Sequence, residues 1–244
     1  SLQLWKGAAN GTFALRSSVG AGSTPRSIAV GDLDADGVLD VAVANSAGNE
    51  VRLLHGEGVN GIGSGTLTAW RTIAVGASPV RVLLTDLDGD GILDVGTANN
   101  GAGTLRIASG RGTAPRGDGT FAAVATLSPG GSPFGLACGD FDRDGRTDLV
   151  VANSASTVLT EYRGTGGGAF AKRGDFTVPL APQDLVVGDF DGDGLADLAT
   201  ACAGTNQAVV LPGTGDGGFG AARVFAVAAG PGCVAAGDFK SDGA

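Results

Sequence analysis

The chain has 244 residues, 45 of them glycine, no methionine, and a formal net charge of -9. That length suits one large all-β domain or two ordinary ones, and nothing in the chain looks like the basic patch of a nucleic-acid-binding protein. No apolar run approaches the roughly 18 residues that cross a bilayer, so no membrane span is expected, and the lack of a basic-then-apolar leader reads as the start of a mature or excised piece.

The first clear unit begins at Pro25. Ile28-Ala29-Val30-Gly31 is a short apolar run bounded by turn residues, and Val41-Ala42-Val43-Ala44 is another, both strand signals. Between them Asp32 to Asp40 reads D-x-D-x-D-G-x-x-D. Carboxylates at alternate positions of a tight turn, with glycine where the backbone reverses, suit a hard, oxygen-seeking cation such as Ca2+. An EF-hand would need helical flanks and a bidentate Glu at the twelfth position, where this chain and its later copies have Val43, Thr97, Val151 and Thr200. The loop therefore joins two strands of a hairpin, and the ninth-position Asp takes the closing role. Expected ligands are Asp32, Asp34, Asp36 and Asp40, with the carbonyl of Val38.

The third strand of this unit includes Val51 to Leu54, and an insertion from His55 to Ser64 leads to Leu67 and a fourth strand. The second unit repeats the order from Pro79: its loop, 86–94, offers Asp86, Asp88, Asp90, the carbonyl of Ile92, and Asp94. Leu105 to Ala108 is its third strand, and a second insertion runs from Ser109 to Asp118 before Phe121. In the third unit, from Pro133, loop 140–148 offers Asp140, Asp142, Asp144, the carbonyl of Arg146, and Asp148. In the fourth, from Pro182, loop 189–197 offers Asp189, Asp191, Asp193, the carbonyl of Leu195, and Asp197. A fifth loop starts at Asp238, within 238–243, but Lys240 replaces its third-position acid and only Asp242 follows, so any metal there is expected to be weak or missing.

Aligned on the first Asp of each loop, the repeats are spaced by 54, 54, 49 and 49 residues, a range that marks propellers or solenoids. A proline lies seven residues before each loop, at Pro25, Pro79, Pro133, Pro182 and Pro231, where a fixed φ and a missing N–H suit the first residue of a strand. A large apolar residue lies nineteen before it, at Leu67, Phe121, Phe170 and Phe219, and Phe13 holds that place ahead of the first loop. The first strand of each unit, such as Leu185 to Gly188, is apolar on both faces and is expected innermost; Ala222 to Val227 opens a fourth strand. Four antiparallel strands repeated with Gly-rich punctuation give a β-propeller, with about five repeats present in one repeat region over 1–244. A parallel β-helix has much shorter repeats.

The columns Gly-Asp-Phe-Asp-x-Asp-Gly-x-x-Asp-Leu, as at Gly139 to Leu149 allowing Arg143 and Arg146, and Gly-Thr-Phe resemble the FG-GAP or VCBS repeat. That is the blade unit of the integrin alpha-chain propeller and of many bacterial secreted proteins, and the resemblance spans essentially the whole chain. It implies a Ca2+ in the first hairpin of each blade, four sites in all, and outer strands of one further blade from residues 1 to about 20. Such propellers commonly close with six or seven blades, so an excerpt of a longer array is expected.

Four complete loops hold 16 of the 25 acidic residues, so the acidity belongs mostly to metal sites. Cys138 occupies an inner-strand slot as a small buried hydrophobe. A Cys202–Cys233 disulfide stays open, since spacing alone does not establish geometry. The only histidine, His55, lies in an insertion and reads as a solvated loop residue, and no Ser or Cys has a paired base, so no catalytic residue is expected. The expected function is a non-enzymatic, calcium-stabilised propeller, secreted or at the cell surface, that binds a protein or glycan through one loop face for adhesion, recognition or assembly. Alternatives are a lectin-like propeller, although Trp5, Trp70 and Tyr162 form no regular platform, and a scaffold domain of a larger secreted enzyme or toxin. The insertions, with Arg111 and Arg116 in the second, are either the recognition loops or spare turns.

Overall fold

The computed structural model describes residues 1–237; the expected fifth loop, with Asp238 and Asp242, lies outside the described residues. Among these the regular structure is all β. Contacts group the chain into two compact units, one of residues 1–86, 90–102 and 106–124, the other of 87–89, 103–105 and the chain from Ala125 on.

In the first unit β1 (Leu2–Gly7) and β2 (Phe13–Val19) pair antiparallel as a two-stranded ribbon, the expected outer strands of a blade. β3 (Pro25–Gly31), β4 (Asp40–Asn45), β5 (Glu50–Val59) and β6 (Ile62–Ala74) form a four-stranded sheet, in chain order across it. β7 (Pro79–Thr85), β8 (Asp94–Asn99), β9 (Thr104–Thr113) and β10 (Arg116–Leu127) form the next. The second unit holds two more such sheets: β11 (Pro133–Gly139), β12 (Asp148–Asn153), β13 (Val158–Gly166) and β14 (Ala169–Thr177), then β15 (Pro182–Gly188), β16 (Asp197–Cys202), β17 (Gln207–Leu211) and β18 (Arg223–Ala226).

The proline column opens the first strand of each four-stranded sheet, as expected, whereas no strand follows Pro231 within residues 231–237. Pro25, Pro79, Pro133 and Pro182 pair with Asn45, Asn99, Asn153 and Cys202, and the register shifts just after each proline. The residue before the proline accepts the amide that follows the second strand: Ser46 N–H to Thr24 O at 3.0 Å, Asn100 to Ser78 at 3.0 Å, Ser154 to Ser132 at 2.9 Å, Ala203 to Ala181 at 3.0 Å.

Every residue of β4, β8, β12 and β16 is buried, and each first strand lies at one edge of its sheet, the place an innermost blade strand occupies, with half-exposed residues. Ile28 and Val30 of β3 are more than half exposed. A second strand has a hydrogen-bonded neighbour on both sides as well as covered faces, which an edge strand lacks. In the first unit one core joins Leu33, Ala42, Ala44, Val51, Leu53, Val82 and Val95. In the second, Phe141, Val150, Leu159, Leu185, Leu198 and Val209 form the core, with Phe176 and Phe219 against it.

The two insertions are not loops. His55 to Ser64 continues β5 into β6 around Asn60-Gly61, whose φ values of 51° and 73° are those of a two-residue type I′ hairpin turn. Ser109 to Asp118 likewise lies mostly in β9 and β10. Strand pairing absorbs these residues because alternation and an Asn-Gly turn specify a hairpin locally. The cysteines also depart from expectation. All three are free; Cys202, not Cys138, is the small residue fully inside the core, Cys138 is half-buried, and Cys233 is exposed.

Candidate metal centres

Each acidic loop is the connection between the first two strands of a four-stranded sheet, and its backbone satisfies its own carboxylates in a fixed pattern. In the first loop Asp32 accepts the N–H of Asp36 at 3.1 Å and of Gly37 at 2.9 Å, and Asp36 accepts that of Val38 at 2.7 Å. Gly37 sits at φ 86°, and Gly91, Gly145 and Gly194 in the same column are at 80–85°, a region L-residues avoid. The first-position Asp accepts the same two amides in the other copies: Asp90 and Gly91 bond Asp86, Asp144 and Gly145 bond Asp140, and Asp193 and Gly194 bond Asp189. The fifth-position Asp again accepts the seventh residue's N–H, from Ile92, Arg146 and Leu195. Four backbone amides hold Asp189 below the ordinary carboxylate range, that of Gly194 foremost, with those of Gly192, Asp193 and Asp191.

The ninth-position Asp does more than close the loop. Asp40 is fully buried and accepts Leu33 N–H and Gly56 N–H, both at 2.8 Å. Asp148 takes Phe141 and Gly164 in the same way, and Asp197 takes Phe190 and Gly213; Asp94 takes Gly110 at 2.8 Å. This carboxylate therefore ties the metal loop to the third strand. Burial pushes Asp40 and Asp148 upward in pKa, against the pull of those amides.

The glycine that donates this bond was missed by the sequence reading, although its signal was there: Gly56, Gly110, Gly164 and Gly213 each follow the ninth Asp by sixteen residues. A Cβ on any of them would run into the carbonyl of the loop's eighth residue: Leu39, Leu93, Thr147 or Ala196. The distance from this glycine to the Leu67, Phe121, Phe170 and Phe219 column is 11, 11, 6 and 6 residues. The whole difference between long and short repeats thus lies in the hairpin joining the third and fourth strands.

The ligand-bearing oxygens converge. Asp32, Asp34 and Asp40 lie within 4.8 Å of one another, as do Asp86, Asp88 and Asp90, Asp140, Asp142 and Asp148, and Asp189, Asp191 and Asp197. In the second loop the cluster includes the fifth-position Asp90 rather than Asp94. Carboxylates this close repel unless a cation or a proton lies among them, and an all-oxygen donor set suits Ca2+. The residues present therefore fit the ion.

His55 is not a solvated loop residue. It lies in β5, its ring meets Trp70 edge-on at 5.2 Å between centroids, and its Nε2 is 3.1 Å from Asp34 Oδ2. Burial lowers its pKa, but Asp40 and Asp34 outweigh that and the net shift is upward. The corresponding residue of the third repeat, Arg163, reaches its loop too, with Nε 2.6 Å from Asp142 and an Nη 2.7 Å from Asp144. In the fourth loop Arg223 of β18 lies 3.2 Å from Asp191. Of the three large polar aromatics, Tyr162 is buried and Trp70 packs in the first unit's core, while Trp5 is half-exposed.

Sheets of four antiparallel strands in chain order, each opened by a metal-type acidic hairpin, define a β-propeller built of repeated blades. The chain belongs to the FG-GAP-like repeat family, whose repeat matches residues 1–43, 32–97, 86–151, 140–200 and 189–244. No curated relative matches the chain. Among solved structures, a protein from Lactobacillus plantarum is 17% identical with a TM-score of 0.67, over 89% of this chain and 60% of its own. A functionally unknown protein from Desulfotomaculum acetoxidans is 12% identical with a TM-score of 0.61, over 93% of this chain and 68% of its own. BBS1N, solved in complex with ARL6DN, is 10% identical with a TM-score of 0.57, over 87% of this chain and 59% of its own. At these identities the likeness is one of fold, and the chain spans about three fifths of the length of the first and third of these.

Proposed function

We propose that this chain is a calcium-stabilised, non-catalytic recognition module, secreted or displayed at a cell surface, which presents a rigid face to a protein or glycan partner for adhesion or assembly. The observation that carries the calcium reading is the convergence of carboxylate oxygens within 4.8 Å in each of the four complete loops. A recurring site at the fold's own period is a staple rather than a ligand pocket. Metal in the hairpin turn offsets carboxylate repulsion and holds the first strand to the second, while the ninth-position Asp carries that order to the third strand. The non-catalytic reading is supported by the same bonds, which commit the loop acids to backbone amides, and by His55, which is held by Asp34. Loops of this kind fill readily at extracellular calcium concentrations.

Thermal unfolding with and without chelator tests the calcium reading. One site at a ligand concentration a hundredfold above its Kd contributes about 2.7 kcal/mol, and a chain of this size moves by about 2–4 °C per kcal/mol. EDTA should therefore lower the midpoint by about 5 °C or more relative to calcium-loaded protein; an unchanged midpoint would sink the reading.

A further inference from the structure

We propose that the guanidinium of Arg163 is the built-in cation of the third loop, and that calcium binds this chain at the first, second and fourth loops. The inference rests on the calcium reading above and departs from it at one repeat.

Three observations carry it. First, Arg163 holds two of the third loop's expected ligands at once, with Nε 2.6 Å from Asp142 Oδ2 and an Nη 2.7 Å from Asp144 Oδ2. These are charge-assisted contacts from one planar group, one to each of two carboxylates. Asp142 is also a member of the converging trio with Asp140 and Asp148, so the guanidinium engages the cluster where a metal would sit.

Second, the third loop carries positive charge within itself. Its seventh position is Arg146, whose Nη is 3.3 Å from Asp144 Oδ2, where the other loops have Val38, Ile92 and Leu195. Its fourth position is Arg143, where the others have Ala35, Gly89 and Gly192. Two guanidinium groups, Arg163 and Arg146, thus contact the carboxylates of this one loop, which reduces the charge that draws in a divalent ion.

Third, the column is built to face the loop. Arg163 directly precedes Gly164, whose amide bonds Asp148, and that bond fixes the strand against the loop. The corresponding residue of the first repeat, His55, also reaches its loop, at Asp34. The second and fourth repeats have Ser109 and Pro212 there; the arginine that reaches the fourth loop, Arg223 of β18, meets one carboxylate, Asp191, at 3.2 Å, and does not bridge two as Arg163 does.

The test is calcium stoichiometry by titration calorimetry on the wild type and on Arg163→Ser, which installs the second repeat's residue. The variant should bind one more calcium per chain, and that added ion should disappear in Arg163→Ser/Asp142→Asn. Equal stoichiometry in wild type and variant overturns the inference. A second arm needs no metal: in EDTA, a double-mutant cycle of Arg163→Ser and Asp142→Asn should show coupling of about tenfold in the unfolding equilibrium, and additive effects overturn the ion pair. Asp32→Asn separates the two readings, because its loss of one ion from the wild-type count upholds calcium in the first loop whatever the third loop does.

Discussion

Glu161 stands where the first two repeats carry Leu53 and Ile107, in the middle of a third strand, and it is fully buried. Its neighbour across the hairpin bulge changes with it. Arg173 takes the place of Trp70, and each lies where a side chain on a glycine of the following repeat would collide, Gly217 for Arg173 and Gly119 for Trp70. An apolar pair in one blade has thus become an ionic pair in another. The pairing is incomplete: Arg173 Nε is 4.0 Å from Glu161, and neither carboxylate oxygen has a hydrogen bond among the described residues. Burial, with smaller contributions from Asp148, Asp142 and Asp216, outweighs Arg173 and pushes the carboxyl up to about 7. Because the folded pKa lies above the ordinary one, this group's stabilising contribution is complete below about pH 4.5 and is lost as the pH rises through about 7. Glu161→Gln should remove that loss. In urea unfolding without metal, wild type should weaken between about pH 5 and pH 8 by on the order of 2–3 kcal/mol more than the variant; parallel curves would refute the assignment.

At the scale of elements, the third-to-fourth-strand hairpin is the variable part and the metal hairpin the constant one. The first hairpin extends past Gly56 through the Val59–Ile62 pair and closes on Asn60-Gly61, while β13 and β14 close on Gly167-Gly168 at φ 61° and 71°. Both turns use residues that tolerate left-handed backbone, so the tip depends on local chemistry and the base on Asp40. Asn60→Val should cost about 1–2 kcal/mol at the tip. Hydrogen exchange should show Val59 and Ile62 losing protection while the Gly56 amide, bonded to Asp40, keeps it. Equal loss at both places would mean that tip and base form one cooperative unit. Much of this was legible in the sequence: the proline, loop and Phe columns placed four strands per repeat. The glycine sixteen residues after each ninth Asp was equally regular and went unread, because glycine abounds and the reason for it lies in a loop carbonyl at the start of the neighbouring strand.

For the whole molecule, the calcium reading proposed above makes stability a sum of local terms, one from each repeated loop. In a repeat array each unit draws its stability from itself and its neighbours, so Asp189→Asn should remove one calcium from the titration and leave the affinities of the others within about twofold. A collapse of all binding would show that the sites fill as a single cooperative set. The free cysteines mean that reducing agent should not enter this comparison as a structural variable.

The sequence alone determined the acidic loop of every repeat, the blade as the folding unit and the positions of the first and second strands, because each is written in short-range chemistry: alternate carboxylates, a glycine at the reversal, a proline at the strand start, apolar alternation. Tertiary structure decided what depends on residues far apart in sequence. It made the second strand the buried one, turned two apparent loop insertions into strand, and brought His55 and Arg163 onto acidic loops about twenty residues earlier in the chain. It also put Glu161 where burial outweighs its partner. Periodicity shows that a position is core or edge in the average repeat, but only packing shows which neighbour a particular repeat supplies.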